Sequence, residues 1–282
     1  MKFVDVKNDV AFRKIFGNEQ KKVILISFLN AVLGLEGLDT IRTVTLVNPF
    51  QLPRIRGERS SIIDVRAKDG RNRSFIIEMQ VAERDGFAKR IQYYACKDYA
   101  SQIDIGEEYP KLKPVYFIGI LNFKFFPGKH YFSKHLIVDE DTGICTLEDL
   151  KFRFIELPKF KKKINELETI IDQWTFFIKH AHKLTLIPED TDNKGLLEAY
   201  SEANRFNWSK AEYDAYIYAG MRAQDEKGRV DLAVERGVEK AVEKKVLQII
   251  ENCWKNGMRV EDIAVITELE AEKVRRILEG LK

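Results

Sequence analysis

Two runs, "SIIDVRA" (61–67) and "RSFIIEMQV" (73–81), joined by "KDGRN", constrain this chain more than any other feature. Both alternate: Ile63, Val65, Ala67, Phe75, Ile77, Met79 and Val81 are apolar, while Asp64, Arg66, Glu78 and Gln80 are polar, with Ile62 and Ile76 beside them. Successive side chains of a strand point to opposite faces. The pattern therefore predicts an antiparallel hairpin with one face on a core and the other presenting acids. Opposed residues share a face, and the register that keeps the apolar rows together sets Asp64 against Glu78 and Arg66 against Ile76. A tight turn at Asp69-Gly70 would set Asp64 against Phe75, so a loop of three or five residues is expected. Carboxylates opposed at roughly 5 Å repel. A hard divalent cation between Asp64 and Glu78 is the expected remedy.

The flanking sequence supplies an α/β order. "NDVAFRKIFG" (8–17) reads as a short helix with Asn8 or Asp9 at its cap, and "EQKKVILISFLNAVLG" (19–34) as a second, stopped by Gly34. "IRTVTLVN" (41–48) alternates like a strand. After the hairpin come a helix in "GFAKRIQYYACKDYASQI" (86–103) and a strand in "KPVYFIGILNF" (113–123), apolar on both faces. Helix, strand, strand, strand, helix, strand suits a mixed sheet, with Val44, Val65, Ile77 and Ile118 facing helices. "YFSKHLIVDE" (131–140) and "LKFRFIELPKF" (150–160) read as further strands, and from about Asn165 the chain turns helical. Val230, Val234, Val238, Val242, Val246 and Ile250 recur every four residues beside stripes of Glu and Arg/Lys. That seam has no obvious cover in the chain and suits a second copy of itself. Two short helices follow, with Thr267 and Glu270 at capping-box spacing for the last.

Much chemistry is left without support. Glycine-rich phosphate loops and serine-nucleophile elbows are absent, and the four histidines form no zinc pattern. Cys96, Cys145 and Cys253 lack redox spacing and fit a reducing cytoplasm. The most apolar stretch, residues 23–35, is too short to cross a bilayer. A net charge of +3 does not by itself indicate nucleic acid.

Six stretches taken in order, "KNDVAFRKIFG", "LISFLNAVLG", "SIIDVRAKDG", "FIIEMQ", "KRIQYYACKDYASQ" and "GEEYPKLKPVYFIGILNF", resemble the PD-(D/E)XK nuclease family transposases, also called recombination-promoting nucleases. The resemblance is dense over residues 5–123. It implies a restriction-endonuclease-like α/β domain over 1–215, a mixed sheet flanked by helices. An α-helical extension follows, a self-associating stalk over 216–256 and a helix pair over 257–282. It implies cleavage of DNA with Mg2+ or Mn2+. The core acid of the family falls on Asp64, the E-x-K acid on Glu78, and the last position on Gln80, where the superfamily generally has lysine. Glu268 and Glu270 stand where glycine and serine are usual.

Roles follow from chemistry. Asp64 and Glu78 hold the metal with the main-chain carbonyl of Met79, and Gln80 orients the attacking water or a phosphate. Asp9 caps its helix or supports the metal shell. Arg90, Tyr94 and Lys97 share a helical face that grips phosphate or merely solvates the helix. Arg54, Arg56 and Arg59 precede the acidic strand and suit the DNA backbone. DNA and a second copy, as homodimer or higher oligomer, are the expected partners. The competing class is a catalytically silent DNA-binding or transposition-accessory protein that oligomerises through its tail.

Overall fold

Caps decide where the first elements start and stop. Asn8 accepts hydrogen bonds from the amides of Val10 and Ala11 and opens α1 (Asp9–Phe16), so Asn8 and not Asp9 is the cap. The next helix, α2 (Lys22–Leu33), ends at Gly34, whose φ of 66° favours a residue without Cβ. The computed structural model describes residues 1–51, 61–104 and 106–280. Within them the chain divides into two units, Met1–Ala219 and Gly220–Lys282.

In the first unit, β1 (Val44–Val47), β2 (Phe50–Gln51), β3 (Ser61–Ile62), β4 (Val65–Asp69) and β5 (Ser74–Gln80) precede α3 (Phe87–Ala100). Then come β6 (Val115–Leu121), β7 (Phe132–His135) and β8 (Leu150–Glu156), followed by α4 (Ile170–His180) and α5 (Lys194–Ala203). Six strands form one sheet in the order β1-β4-β5-β6-β8-β7, and β2 pairs with β3 separately. Strands β5, β6 and β8 are mutually parallel; the other neighbours are antiparallel. α3 is the crossover that lets β5 and β6 run the same way.

The hairpin has the expected register: Val65 faces Ile77 and Arg66 faces Ile76. Its turn holds three residues, Gly70 to Asn72, closed by the Asp69 amide on the Arg73 carbonyl at 3.2 Å. Asn72, at φ 60°, takes the left-handed position, so Asn72 and not Gly70 supplies the unusual backbone. The Asp69 carboxylate ties the turn together, accepting from the amides of Arg71 and Arg73 and from Arg73 Nε.

Both faces of the sheet are covered. Val65, Phe75, Ile77 and Ile118 pack with Phe12 and Ile15 of α1, Phe28 of α2, Trp174 and Phe177 of α4 and Tyr200 of α5. Val44 lies in the same core, as expected. On the opposite face Ile76, Phe117 and Phe154 meet Phe87, Ile91 and Ala95 of α3. The acid-bearing face is therefore a crevice under α3, not an open surface. Two residues depart from strict alternation. Ile63 joins the core under α3, because the backbone bends at Asp64, and Val81 is exposed, because β5 ends at Gln80. The strand expected over 131–140 is confined to β7.

The boundary between the two units falls within α6 (Lys210–Lys255). Its first turns are held by Lys14 on Glu212 at 2.5 Å and by Asn8 Nδ2 on the Tyr216 carbonyl at 3.1 Å. In the second unit Ile250 is buried with Ile263 of α7 (Val260–Thr267) and with Val274 and Leu278 of α8 (Ala271–Gly280). Val246 packs on the same cluster, so the lower end of the valine seam has a partner within the chain. Val230, Val234, Val238 and Val242 are each more than half exposed. A four-residue spacing drifts by about 40° per step on a 3.6-residue helix, which separates the two ends of the seam. Thr267 is not a cap: it is the last residue of α7, and its hydroxyl donates to the Ile263 carbonyl at 2.7 Å.

Candidate active site

Asp64 stands at the end of the β4–β5 ladder, one residue before β4 begins, and here side chains replace main-chain pairing. The Met79 amide donates to Asp64 Oδ2 at 3.0 Å, and the Asp64 amide donates to Glu78 Oε1 at 3.3 Å. The Asp64 amide thus ties the two acids directly, and the Met79 amide, next in the chain to Glu78, holds the Asp64 carboxylate beside it. The N–H and C=O of one strand residue lie on the same side, which puts the Met79 carbonyl on the side of Asp64. Glu78 follows Ile76 on the α3 face and is 5% exposed. Its neighbour in the parallel register is Gly119, and a Cβ there would come within 2.7 Å of the Phe154 ring. That missing side chain lets an aromatic wall lie beside the carboxylate.

Burial dominates the electrostatics. Desolvation, then the negative charge of Asp64, pushes the Glu78 carboxyl up to about 8. Burial also raises Asp64, against the Met79 amide and the Arg13 guanidinium, while the charge of Asp9 adds to the rise. Among the described residues no group of three His, Cys, Asp or Glu forms a protein-only metal cage. Two carboxylates and a carbonyl, with water or substrate completing the shell, fit Mg2+, which keeps several waters.

Gln80 bridges rather than dangles. Its Nε2 donates to Glu78 Oε2 at 2.8 Å, and its Oε1 accepts from Arg90 Nη2 at 2.8 Å. Arg90 lies over the Phe87 ring, 5.7 Å from its centroid. Tyr94, one turn on, is half-buried; burial and then the charge of Glu78 raise its hydroxyl pKa. Arg90 and Tyr94 therefore converge on the acids, whereas Lys97 lies over Tyr93, 5.7 Å from its ring centroid. Asp9 is exposed and bears on the site through its charge on Asp64. Arg54, Arg56 and Arg59 lie outside the described residues.

One participant escaped the reading of the sequence. Arg13 of α1 donates to Asp64 Oδ1 from Nε at 3.1 Å and from Nη2 at 2.9 Å. Nothing local in the sequence ties residue 13 to residue 64; the helical spacing of Asp9 and Arg13 was the one available hint. Arg66 and Ser74 were likewise unassigned. Both hold the buried Asp98 of α3, Arg66 through Nε at 3.1 Å and Nη2, Ser74 through its hydroxyl, and so clamp α3 over the crevice.

The model of the PD-(D/E)XK nuclease family transposases matches residues 6–233, more than half of the chain. No curated protein and no solved structure gives a match.

Proposed function

The chain belongs to the PD-(D/E)XK nuclease family transposases, and from that premise we propose that it is a DNA endonuclease dependent on Mg2+ or Mn2+. The observation that carries the reading is the juxtaposition of Asp64 and Glu78, held by the Asp64 and Met79 amides, two buried carboxylates whose charged forms are mutually unfavourable. A divalent cation bound there would lower the pKa of a water and neutralise charge on the phosphorane.

The chain's own groups do the rest. Asp64, Glu78 and the Met79 carbonyl would hold the ion. Gln80 spends both ends of its amide on Glu78 and Arg90, so it fixes the acid and carries the influence of a cation. Arg90 and Tyr94 bear on the phosphate from α3. The Asp98 clamp keeps that helix in place. The exposed valines of α6 support self-association through the tail, as a homodimer or higher oligomer. No described helix is long and apolar enough to cross a membrane.

Plasmid nicking tests the proposal. The parent should nick in Mg2+ and stop with chelator, and Asp64→Ala should lose the activity at least 100-fold (~3 kcal/mol in barrier) while keeping its fold. Gln80→Ala should be milder, because it removes an orienting amide and no charge. An Asp64→Ala protein that nicks as fast as the parent would transfer the assignment to a silent DNA-binding or transposition-accessory protein.

A further inference from the structure

The contact between Arg13 and Asp64 has an unusual economy. Nε and Nη2 both donate to the same oxygen, Oδ1. A carboxylate oxygen offers two lone pairs, so Oδ1 is fully taken by one guanidinium. Oδ2 is held by the Met79 amide within the sheet. A divalent cation that binds Asp64 through Oδ1 must therefore take that oxygen from Arg13. Two cations on one oxygen repel strongly in a site this dry.

Arg13 is built to leave. Its side chain is 50% exposed while that of Asp64 is 8% exposed. Among the described residues Asp64 is the one hydrogen-bonding partner of its guanidinium. It stands one helical turn beyond Asp9, so α1 brings both an anion and a cation to the acid pair. A long, half-solvated guanidinium, displaced from a carboxylate, has the fork geometry to take a phosphate instead.

Resting on the nuclease reading above, we propose that Arg13 is an exchangeable counter-ion. It neutralises Asp64 in the metal-free chain, surrenders Oδ1 when the divalent cation binds, and moves its guanidinium onto a DNA phosphate. No covalent step is involved. Metal and DNA then bind with positive coupling, because each favours the position of Arg13 that admits the other, and the coupling is reciprocal.

Mg2+ titrations of the full chain, read by thermal shift with and without a short phosphorothioate duplex, test this. In the parent the duplex should tighten Mg2+ binding by about tenfold. In Arg13→Ala, Mg2+ should bind several-fold tighter than to the parent without DNA, on the order of 3- to 30-fold, and the duplex should tighten it clearly less than in the parent. Arg13→Gln, which keeps a neutral donor, should fall between them and serves if Arg13→Ala folds poorly. A surface ion pair with no exchange role would leave the duplex-induced tightening in these variants at its parental size, and that result overturns the proposal. A parent that responds to Mg2+ no differently from Asp64→Ala would instead remove the metal site itself, and this inference with it.

Discussion

Glu78 is the residue on which the electrostatics of the molecule turn. Its folded-state carboxyl is raised to about 8 from an ordinary 4.5, so the native state holds a proton that the unfolded chain has lost. The native state thus binds more protons between those values, and stability falls as pH rises from about 4.5 to about 8, then levels. The effect is on the order of a few kcal/mol. Glu78→Gln should flatten most of that slope and raise the denaturation midpoint at pH 8 in chelator; midpoints at pH 5 and pH 8 check it. An undiminished slope in the variant would assign the pH dependence elsewhere. Mg2+ should stabilise the parent more at pH 8 than at pH 5, because it binds the ionised form. The acids were legible in the sequence because alternation exposes an out-of-place polar residue. Arg13 and Arg90 were not equally so, because a charged residue on a helix surface looks the same whether it faces water or a carboxylate.

Elements were readable where a local rule set their ends. Asn8, Gly34 and the alternating rows of β4 and β5 each act through neighbours in the chain. The turn between α7 and α8 is a case where the local rule is broken. Glu268 adopts φ 55° and ψ 28°, a left-handed conformation in which its Cβ costs roughly 1 kcal/mol. Glu268→Gly should therefore stabilise the small core of Ile250, Ile263 and Val274 by about 1 kcal/mol, seen as slower amide exchange in α7 and α8. Exchange that is unchanged or faster would mean the glutamate is held by more than the turn. The expected Thr267 cap failed because α7 extends to Thr267 and α8 starts only at Ala271, so Thr267 closes one helix and does not open the next.

At the scale of the whole molecule, the exposed length of α6 is the open question. Val230, Val234, Val238 and Val242 present apolar side chains that are each more than half exposed among the described residues, and burying them against a second copy would recover their hydrophobic free energy. Val234→Lys with Val238→Lys should reduce the solution mass measured by light scattering while leaving α6 helical. Equal masses for parent and variant would refute tail-mediated association.

Periodicity, turn residues and caps were enough to establish an α/β chain with a paired-acid hairpin and a helical tail, because each acts over a few residues. The depth of the acids was set in three dimensions. α3 folds over the face that alternation alone marks as polar, and the Arg66–Asp98–Ser74 clamp holds it there. The contact of Arg13 with Asp64, and the bridge from Glu78 through Gln80 to Arg90, arise from parts of the chain brought together by packing. Proton affinity depends on desolvation and nearby charge, and neither quantity exists until the chain has closed around the site.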